Sequence, residues 1–336
     1  MVRSVDVIIP VYNRAHCIAD VIAQLEQQTF RDFRAIFVDD GSSDGSADVL
    51  AAALKDASFE SCIIRKENGG VGSARNAGLS AVTADWISFV DSDDGLQPQF
   101  LEYLHRAVTE THCELAICSL QQIPVGSGEM PRSIGPLSVR EISAAEGMRL
   151  FCTHWVGPYC LFLSREFQQK NRLLFDENCS YCEDAPFITS VIAASERVAY
   201  VDQELYLYYT YQGSLSRSPR LDKFASAIQS FSFVEEHLSR QTTPVAEVFC
   251  QMGPLRYYIA TLRRGAVQLD YKNFIALAKM VNLRRYRDKI RYLRQRSQKL
   301  ACYLALCSKT LFYYVVRILF KDGGDRCDGW NCHCPL

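Results

Sequence analysis

The first part of the chain alternates short apolar runs with segments whose apolar residues recur every three to four positions. Apolar runs of this length are typical of buried strands, and the longer period is typical of helices packed on a sheet. The order predicts an α/β fold with a mostly parallel sheet flanked by helices. The strand-like runs include "VDVIIPVY", "FRAIFVDD", "ESCIIRKE" and "DWISFVDS", separated by helix-like segments such as "CIADVIAQLEQQ" and "VGSARNAGLSAV".

Polar side chains follow three of these predicted strands. Tyr12 and Asn13 end the first strand, Asp39 and Asp40 end the second, and the cluster Asp91–Asp94 ends the fourth. In open α/β sheets, functional groups collect at the carboxyl ends of strands, where the loops line a crevice. If the three strands are neighbours, these side chains converge on one cleft.

The cluster "DSDD" offers several carboxylates at the end of a buried strand, where they cannot all stay dry and unpaired. Carboxylate oxygens from Asp93 or Asp94, with the oxygens of a diphosphate, suit Mg²⁺ or Mn²⁺. The alternative interpretation is a solvated acidic turn that caps the next helix.

The segment "ENGGVGSARNAG" runs into a predicted helix, and its glycines allow a ligand to approach the backbone. It is not a dinucleotide fingerprint, because Arg75 stands at the third glycine position and the segment follows the third strand. It also lacks the G-K-[ST] of a P-loop.

The segment "YCEDAPFI" places Glu183 and Asp184 at the head of an apolar, helix-like run. Two adjacent acids at a helix start can serve as a general base. The alternative is an N-cap and a first-turn acid that stabilise the helix by about 1 kcal/mol.

The rest of the chain is less regular until a mainly helical region from about 220 to 320. Residues 124–140 are rich in Gly, Pro and Ser and predict a loop or flap. Residues 284–299 are strongly basic, and an apolar stretch interrupted by Lys309 and Arg317 follows. We expect 284–320 to lie on a membrane surface. A helix packed on the catalytic domain, or a partner-binding helix, is the alternative.

Fourteen cysteines are scattered singly, and we expect reduced thiols because no signal peptide precedes the first strand. "CSYC" (179–182) and the Cys-rich tail "CDGWNCHC" (327–334) have enough ligands for zinc, but free thiols explain them as well. A formal net charge of −1 gives no sign of nucleic-acid binding.

Five segments together resemble the family 2 glycosyltransferases, which are inverting enzymes with the GT-A fold. They follow the order and spacing of that family over about residues 4–215. The segments are "VDVIIPVYNRA", "FRAIFVDDGSSDGS", "ENGGVGSARNAGL", "WISFVDSDDGLQP" and "YCEDAPF".

This resemblance implies roles for the polar residues. Asp93, with Asp94, would hold Mn²⁺ or Mg²⁺, and Asp184 would be the general base with Glu183 as its competitor. The implied nucleotide-binding set is Pro10, Tyr12 and Asn13 at the base, Asp39 or Asp40 at the base or ribose, Arg75 beside the nucleotide, and Asp91 with Ser92 at the ribose or sugar.

The resemblance also implies a GT-A-like catalytic domain over 1–218 and a helical extension over 219–336. The expected reaction is a metal-dependent, inverting transfer from a nucleotide-sugar donor, UDP-linked, to a hydroxyl of a glycan or lipid-linked glycan acceptor in surface polysaccharide synthesis. The expected location is cytoplasmic, peripheral on the cell membrane. Two alternatives remain: an inactive membrane-associated scaffold, and a sugar nucleotidyltransferase, which would need a Gly-rich, basic first loop that "PVYNRAHC" lacks.

Overall fold

The computed structural model describes residues 3–154, 156–179, 183–210, 220–293 and 296–320. The Cys-rich tail and Cys182 lie outside the described residues. The chain divides into two compact units, which we describe separately. The sheet unit comprises Met1–Gly147, Val156–Glu177 and Ser190–Gln212, and the helical unit comprises Met148–Trp155, Asn178–Thr189 and Gly213–Leu336.

Nine strands of the described residues form one sheet in the order β3-β2-β1-β4-β8-β6-β9-β5, with β7 paired to β9. The strands are β1 (Val5–Val11), β2 (Phe33–Asp39), β3 (Glu60–Arg65), β4 (Trp86–Phe89), β5 (Gly95–Leu96), β6 (Leu115–Pro124), β7 (Val139–Ser143), β8 (Leu161–Ser164) and β9 (Arg197–Thr210).

The first four strands in spatial order, β3-β2-β1-β4, are all parallel. The run "VDVIIPV" of β1 is buried at every position, as expected for a central parallel strand with both faces covered. Beyond β4 the sheet is mixed, because β8 pairs antiparallel with both β4 and β6 while β6 and β9 are parallel.

A buried ion pair joins the first two strands. Arg34 on β2 donates through Nε and Nη2 to the two carboxylate oxygens of Asp6 on β1, each at 2.8 Å. The backbone N–H groups of Thr83 and Ala84 also donate to Asp6. The fully buried carboxylate is thereby satisfied on both oxygens.

Helices cover the sheet and build the helical unit. In α1, residues Ile18, Val21, Ile22 and Leu25 are buried, which is the i, i+3, i+4, i+7 face of an amphipathic helix. The helices are α1 (Ile18–Glu26), α2 (Ser46–Ala53), α3 (Val71–Ser80), α4 (Phe100–Thr111), α5 (Ala144–Thr153), α6 (Arg165–Lys170), α7 (Asp184–Ala194), α8 (Leu221–Ser239), α9 (Pro244–Gln268), α10 (Tyr271–Met280), α11 (Arg296–Cys307) and α12 (Lys309–Phe320).

The predicted α/β fold, with a mostly parallel sheet flanked by helices and a helical C-terminal region, is confirmed. The predicted loop over 124–140 is correct in its middle, but Pro124 ends β6 and Val139 and Arg140 begin β7. The strand β7 pairs with β9 at the edge of the sheet.

A buried carboxylate organises the helical unit. Glu235 on α8 accepts hydrogen bonds from the hydroxyls of Tyr258 and Tyr286 at 2.7 to 2.9 Å. Tyr258 lies on α9, and Tyr286 lies in a run of 3₁₀ turns, Leu283–Tyr292. Three segments of the helical unit are therefore tied to one acid.

Lys309 and Arg317, the two cations of the C-terminal apolar stretch, bind backbone carbonyls of the helical unit. Lys309 Nζ donates to the carbonyl of Ala278, and Arg317 donates to that of Leu269 at 3.0 Å. These carbonyls lie at or just past the ends of α10 and α9, where helices leave acceptors unsatisfied. No helix in the described part of the chain is long and apolar enough to cross a membrane.

Candidate active site

The three polar clusters predicted at strand ends lie on neighbouring strands. In the sheet, β1 stands between β2 and β4, with Val11 opposite Asp39 and Ile8 opposite Phe89. Pairing continues past the strands, because the N–H of Asp40 donates to the carbonyl of Val11 at 2.9 Å. The carboxyl ends of β1, β2 and β4 therefore meet at one edge.

Asn13 fixes the loop after β1. Its φ is 53°, in the left-handed region that asparagine tolerates better than most residues. Its side-chain oxygen accepts from the N–H of Ser43 at 2.9 Å, and its own N–H donates to Ser42 Oγ at 3.0 Å. Tyr12, just before it, is 41% exposed, whereas Pro10 is buried within β1.

Asp40 organises the glycine-rich loop before α3. Its carboxylate accepts from the N–H groups of Gly69 and Gly70 at 3.0 and 2.8 Å, and from Lys66 Nζ at 2.8 Å. The sequence predicted that a ligand could approach the backbone of this loop. In the structure, these two N–H groups instead donate to Asp40. Asp40 is 2% exposed and acts as an internal anion at the start of α3.

Asp39 has a different environment. Its Oδ1 accepts from the N–H of Ser42 at 3.1 Å, and the residue is 4% exposed. Asp39 and Asp40 thus share a strand end, but only Asp40 holds the glycine loop.

Arg75 and Asp91 form an ion pair just past the end of β4. Arg75 Nη2 lies 2.9 Å from Asp91 Oδ1, and its guanidinium lies over the ring of Phe175 at 5.2 Å. The Arg75 side chain is 2% exposed and that of Asp91 is 24% exposed. The buried Arg75 therefore fixes the position of the more exposed Asp91 carboxylate.

Asp94 is held by β9. Its Oδ2 accepts from the hydroxyl of Tyr206 at 2.8 Å, and its Oδ1 from the N–H of Tyr209 at 3.0 Å. Burial, followed by the charges of Asp93 and Asp91, raises the pKa of Asp94 well above its ordinary value. A Cβ at Gly95 would lie 2.9 Å from the Leu207 Cβ, so glycine allows this close approach.

Asp93 is the more accessible member of the cluster. Its side chain is 31% exposed, and its Oδ2 lies 2.9 Å from Arg14 Nη2. Burial raises the pKa of Asp93, and the charge of Arg14 opposes that rise. Ser92, between the acids, is 4% exposed.

The acid cluster suits a hard cation in its chemistry. The donors are carboxylate oxygens, which Mg²⁺ and Mn²⁺ prefer, and Asp93 reaches solvent. Among the residues that the structure describes, no group of three or more His, Cys, Asp or Glu side chains is placed to hold a metal ion.

The acids Glu183 and Asp184 belong to the helical unit. Asp184 is the first residue of α7 and is half-buried, whereas Glu183 is 8% exposed. Residues 180–182 before them lie outside the described residues. The two acids therefore differ in exposure to solvent.

The family model of glycosyl transferase family 2 matches residues 6–183, which is more than half of the chain. The chain belongs to this family. The predicted family and enzyme class are thereby confirmed.

Curated relatives of this family 2 glycosyltransferase include an uncharacterized glycosyltransferase and a succinoglycan biosynthesis protein. It is 29% identical over 228 residues to the uncharacterized glycosyltransferase EpsJ of Bacillus subtilis, covering 65% of this chain and 64% of that protein. It is 29% identical over 237 residues to the succinoglycan biosynthesis protein ExoO of Rhizobium meliloti, covering 68% and 66%. The aligned part spans just under two thirds of both relatives.

A solved structure shares the fold over almost the whole chain. Staphylococcus aureus TarS 1–349, in complex with UDP-GlcNAc, superposes with a TM-score of 0.66 at 18% identity, covering 95% of this chain and 92% of TarS. The predicted GT-A-like fold is confirmed.

Several residues of this site were not identified from the sequence. Arg14, Lys66 and Tyr206 contact the acids directly. Arg14 and Lys66 lie in strand-end loops and could have been found as cations beside the predicted cleft. Tyr206 lies more than a hundred residues from Asp94, and only the pairing of β9 with β5 brings it there.

Proposed function

We propose that this chain transfers a sugar, with inversion, from a nucleotide-diphosphate donor to a hydroxyl of a glycan or lipid-linked glycan during surface polysaccharide synthesis. The observation that carries the proposal is the meeting of Asp39, the Asp91–Asp94 cluster and the exposed Tyr12 at one edge of the sheet. The UDP-GlcNAc complex of TarS and the name of ExoO support a UDP-linked donor and a polysaccharide product.

The donor would lie across these strand ends. Tyr12 offers an exposed ring to the base, and Asp39 offers carboxylate oxygens to the base or ribose. Asn13 and Asp40 act indirectly, by fixing the loops on either side. Asp91, held by Arg75, faces the ribose or sugar.

Asp93 would hold Mn²⁺ or Mg²⁺, with Asp94 beside it. The bound cation would offset the charge of the leaving diphosphate. Few protein ligands are needed, because such ions usually keep water and take substrate phosphate oxygens as ligands. Arg14, which is paired with Asp93 at 2.9 Å, would offer its charge to the same phosphates.

The reaction forms a bond between the acceptor oxygen and the anomeric carbon and breaks the bond to the diphosphate. The acceptor proton passes to a carboxylate, for which Asp184 is our choice and Glu183 the competitor. Asp184 is half-buried, whereas Glu183 is 8% exposed, so Asp184 is the more accessible of the two acids.

Donor binding tests the proposed nucleotide and metal site, and sugar transfer tests whether the protein is an active enzyme. We expect thermal stabilisation by one nucleotide sugar that requires Mn²⁺ or Mg²⁺, by about 2.7 kcal/mol at a hundredfold excess over Kd. Asp93→Asn should abolish the metal-dependent part, and Asp48→Asn, on the exposed surface of α2, is the matched control. Donor binding without turnover would favour the scaffold alternative.

The base is tested by paired variants. Asp184→Asn should lower transfer by about 10²–10⁴-fold while donor affinity is kept. Glu183→Gln should have the smaller effect. The reverse order would assign the base to Glu183.

The helical unit would attach the enzyme to the cytoplasmic face of the membrane. One face of α12 packs inward through Phe312, Tyr313 and Val316, yet Leu311 and Ile318 are 47% and 75% exposed. Exposed arginines of 284–291 precede these helices, and such cations favour anionic headgroups. Attachment thus rests on this exposed face and these arginines, since Lys309 and Arg317 bind carbonyls.

Vesicle sedimentation tests the attachment. The protein should bind phosphatidylglycerol-containing vesicles more than neutral ones, and less as salt rises. The double change Leu311→Glu and Ile318→Glu should lower partitioning at least about tenfold. Phe233→Glu, which alters a 73% exposed residue on α8, should leave it unchanged. Equal loss in both variants would contradict a role for α12.

A further inference from the structure

A cavity lies in the sheet unit, at the amino-terminal end of β4 and away from the strand ends that carry the acids. Its volume is about 350 Å³, within the range of small-molecule sites. Trp86 begins β4 and Asp91 follows its far end, so the cavity and the acid cluster are roughly 16 Å apart along the strand. The lining residues are Asp85, Trp86, Ser164, Arg165, Glu166 and Gln169.

Trp86 provides a fixed aromatic surface in this cavity. Its indole stacks on Phe162 of β8, with ring centroids 5.5 Å apart and 17° between the planes. Phe162 covers one side of the ring, and the Trp86 side chain remains partly exposed. Within the described residues the indole N–H has no hydrogen-bond partner, so a donor is left beside an apolar ring.

The other groups around Trp86 are polar. Glu166 and Gln169 are exposed, lie three residues apart on α6 and therefore share a face. Neither side chain has a hydrogen-bond partner in the described part of the chain. Their oxygens and the amide N–H₂ of Gln169 can bind hydroxyl groups as acceptors and donors.

The charge of the lining selects against anions. Asp85 and Glu166 are acidic, and Arg165 is the cation, at 3.8 Å from Asp85. A phosphate or a uronic acid would meet one more negative than positive charge there. A neutral ligand with one apolar face and several hydroxyls fits this cavity better.

We propose that this cavity is a second, non-catalytic binding site for a neutral pyranose unit of a glycan. The apolar face of the sugar ring packs on Trp86, and Glu166 and Gln169 bind its hydroxyls. A glycan held here has a raised effective concentration near the strand ends that carry the acids. The inference rests on the proposed function only in taking a glycan as the source of the sugar.

The test follows the indole signal of Trp86 by NMR. The chain has three tryptophans, so ¹⁵N-indole labelling gives few signals, and Trp86→Phe assigns the one of interest. The probes are the methyl pyranosides of glucose, galactose, mannose and N-acetylglucosamine, each up to about 100 mM, well above millimolar Kd values. No nucleotide or metal is added.

We expect at least one probe to shift the Trp86 signal with saturation. The double change Glu166→Ala and Gln169→Ala should abolish that shift, while the Trp86 signal keeps its position without sugar. A signal unmoved by all four probes, or an equal shift in the double variant, would overturn the proposal.

The Asp93→Asn variant separates this site from the catalytic one. It should show the same Trp86 shift as the wild type, although its metal-dependent donor binding is lost. A Trp86 shift that disappears with Asp93→Asn would place the sugar elsewhere and overturn the second site. Donor binding without any Trp86 shift would leave the proposed function intact and remove only this inference.

Discussion

The hydroxyl of Tyr206 donates to Asp94 Oδ2 at 2.8 Å and accepts from the backbone N–H of Asp91 at 3.1 Å. Tyr206 is fully buried on β9 and stacks on Tyr159, with ring centroids 4.2 Å apart. Burial and the nearby acids raise the pKa of Tyr206 well above its ordinary value, so the hydroxyl remains a donor. One side chain thus positions both ends of the acid cluster.

Tyr206→Phe should weaken metal-dependent donor binding as well as stability. Asp94 would keep the N–H of Tyr209 but lose its hydroxyl donor, which costs about 1–3 kcal/mol for a buried acceptor. Urea unfolding measures the stability, and a donor titration with Mn²⁺ measures the site.

Tyr200→Phe is the matched control on the same strand. The Tyr200 hydroxyl bonds to Ser119 and Asp202, away from the acids. We expect this variant to lose stability and keep donor affinity. If Tyr206→Phe also keeps donor affinity, Tyr206 supports the fold alone.

Asp40→Asn should loosen the glycine-rich loop. The amide keeps one oxygen for the N–H groups of Gly69 and Gly70, and its N–H₂ group faces donors that it cannot accept from. We expect a loss of about 1–3 kcal/mol in the free energy of unfolding, since buried donors are left unsatisfied. Hydrogen exchange at Gly69 and Gly70 should quicken.

Lys66→Met separates the loop from the charge of Asp40. It removes the cation 2.8 Å from Asp40 but keeps both backbone hydrogen bonds. Exchange at Gly69 and Gly70 should remain slow in this variant. Faster exchange in Lys66→Met than in Asp40→Asn would mean that the ion pair, rather than the backbone bonds, holds the loop.

The sequence predicted those parts of the fold and the site that depend on residues adjacent in the chain. The apolar runs of β1, β2 and β4 predicted the parallel strands, and the polar residues after each run predicted one cleft if those strands are neighbours, which they are. Such a prediction is possible because a buried parallel strand is an unbroken run of apolar residues, and functional polar residues follow its carboxyl end.

Long-range pairing could not be derived in this way. The two-residue strand β5, Gly95–Leu96, is too short to leave a pattern, yet its pairing with β9 brings Tyr206 to Asp94. Likewise, nothing near "ENGG" indicates that its N–H groups bind Asp40 from another strand end. Such contacts depend on register between distant segments, which local periodicity does not encode.

Breaking the Asp6–Arg34 ion pair by removing the Asp6 carboxylate should destabilise the sheet unit. Asp6 is fully buried and accepts from Nε and Nη2 of Arg34 and from two backbone N–H groups. We expect Asp6→Ala to lower the free energy of unfolding by about 3–5 kcal/mol, because the partly buried Arg34 loses its counter-charge and two N–H groups lose their acceptor. Glu60→Ala is the control, since the exposed Arg3–Glu60 pair should contribute less than about 1 kcal/mol. Similar losses in both variants would contradict the special role of burial.

His105 should make stability depend on pH. Its ring centroid lies 4.7 Å from that of Phe30, with the planes tilted by 34°, and it meets Phe162 edge-on. Burial lowers the pKa of His105, with the charge of Asp32 opposing this. As pH falls below the ordinary histidine pKa of about 6.5, the unfolded chain takes up a proton that the folded ring resists, so the free energy of unfolding decreases.

His105→Phe removes this proton linkage and keeps an aromatic ring between Phe30 and Phe162. We expect the variant to gain stability relative to the wild type as pH falls from about 7.5 to about 5.5, with the difference constant above about 7.5. Urea unfolding across this range measures it. If the free energies of unfolding of the two proteins change in parallel with pH, His105 takes up its proton equally in the folded and unfolded states. That result would contradict the lowered pKa of His105.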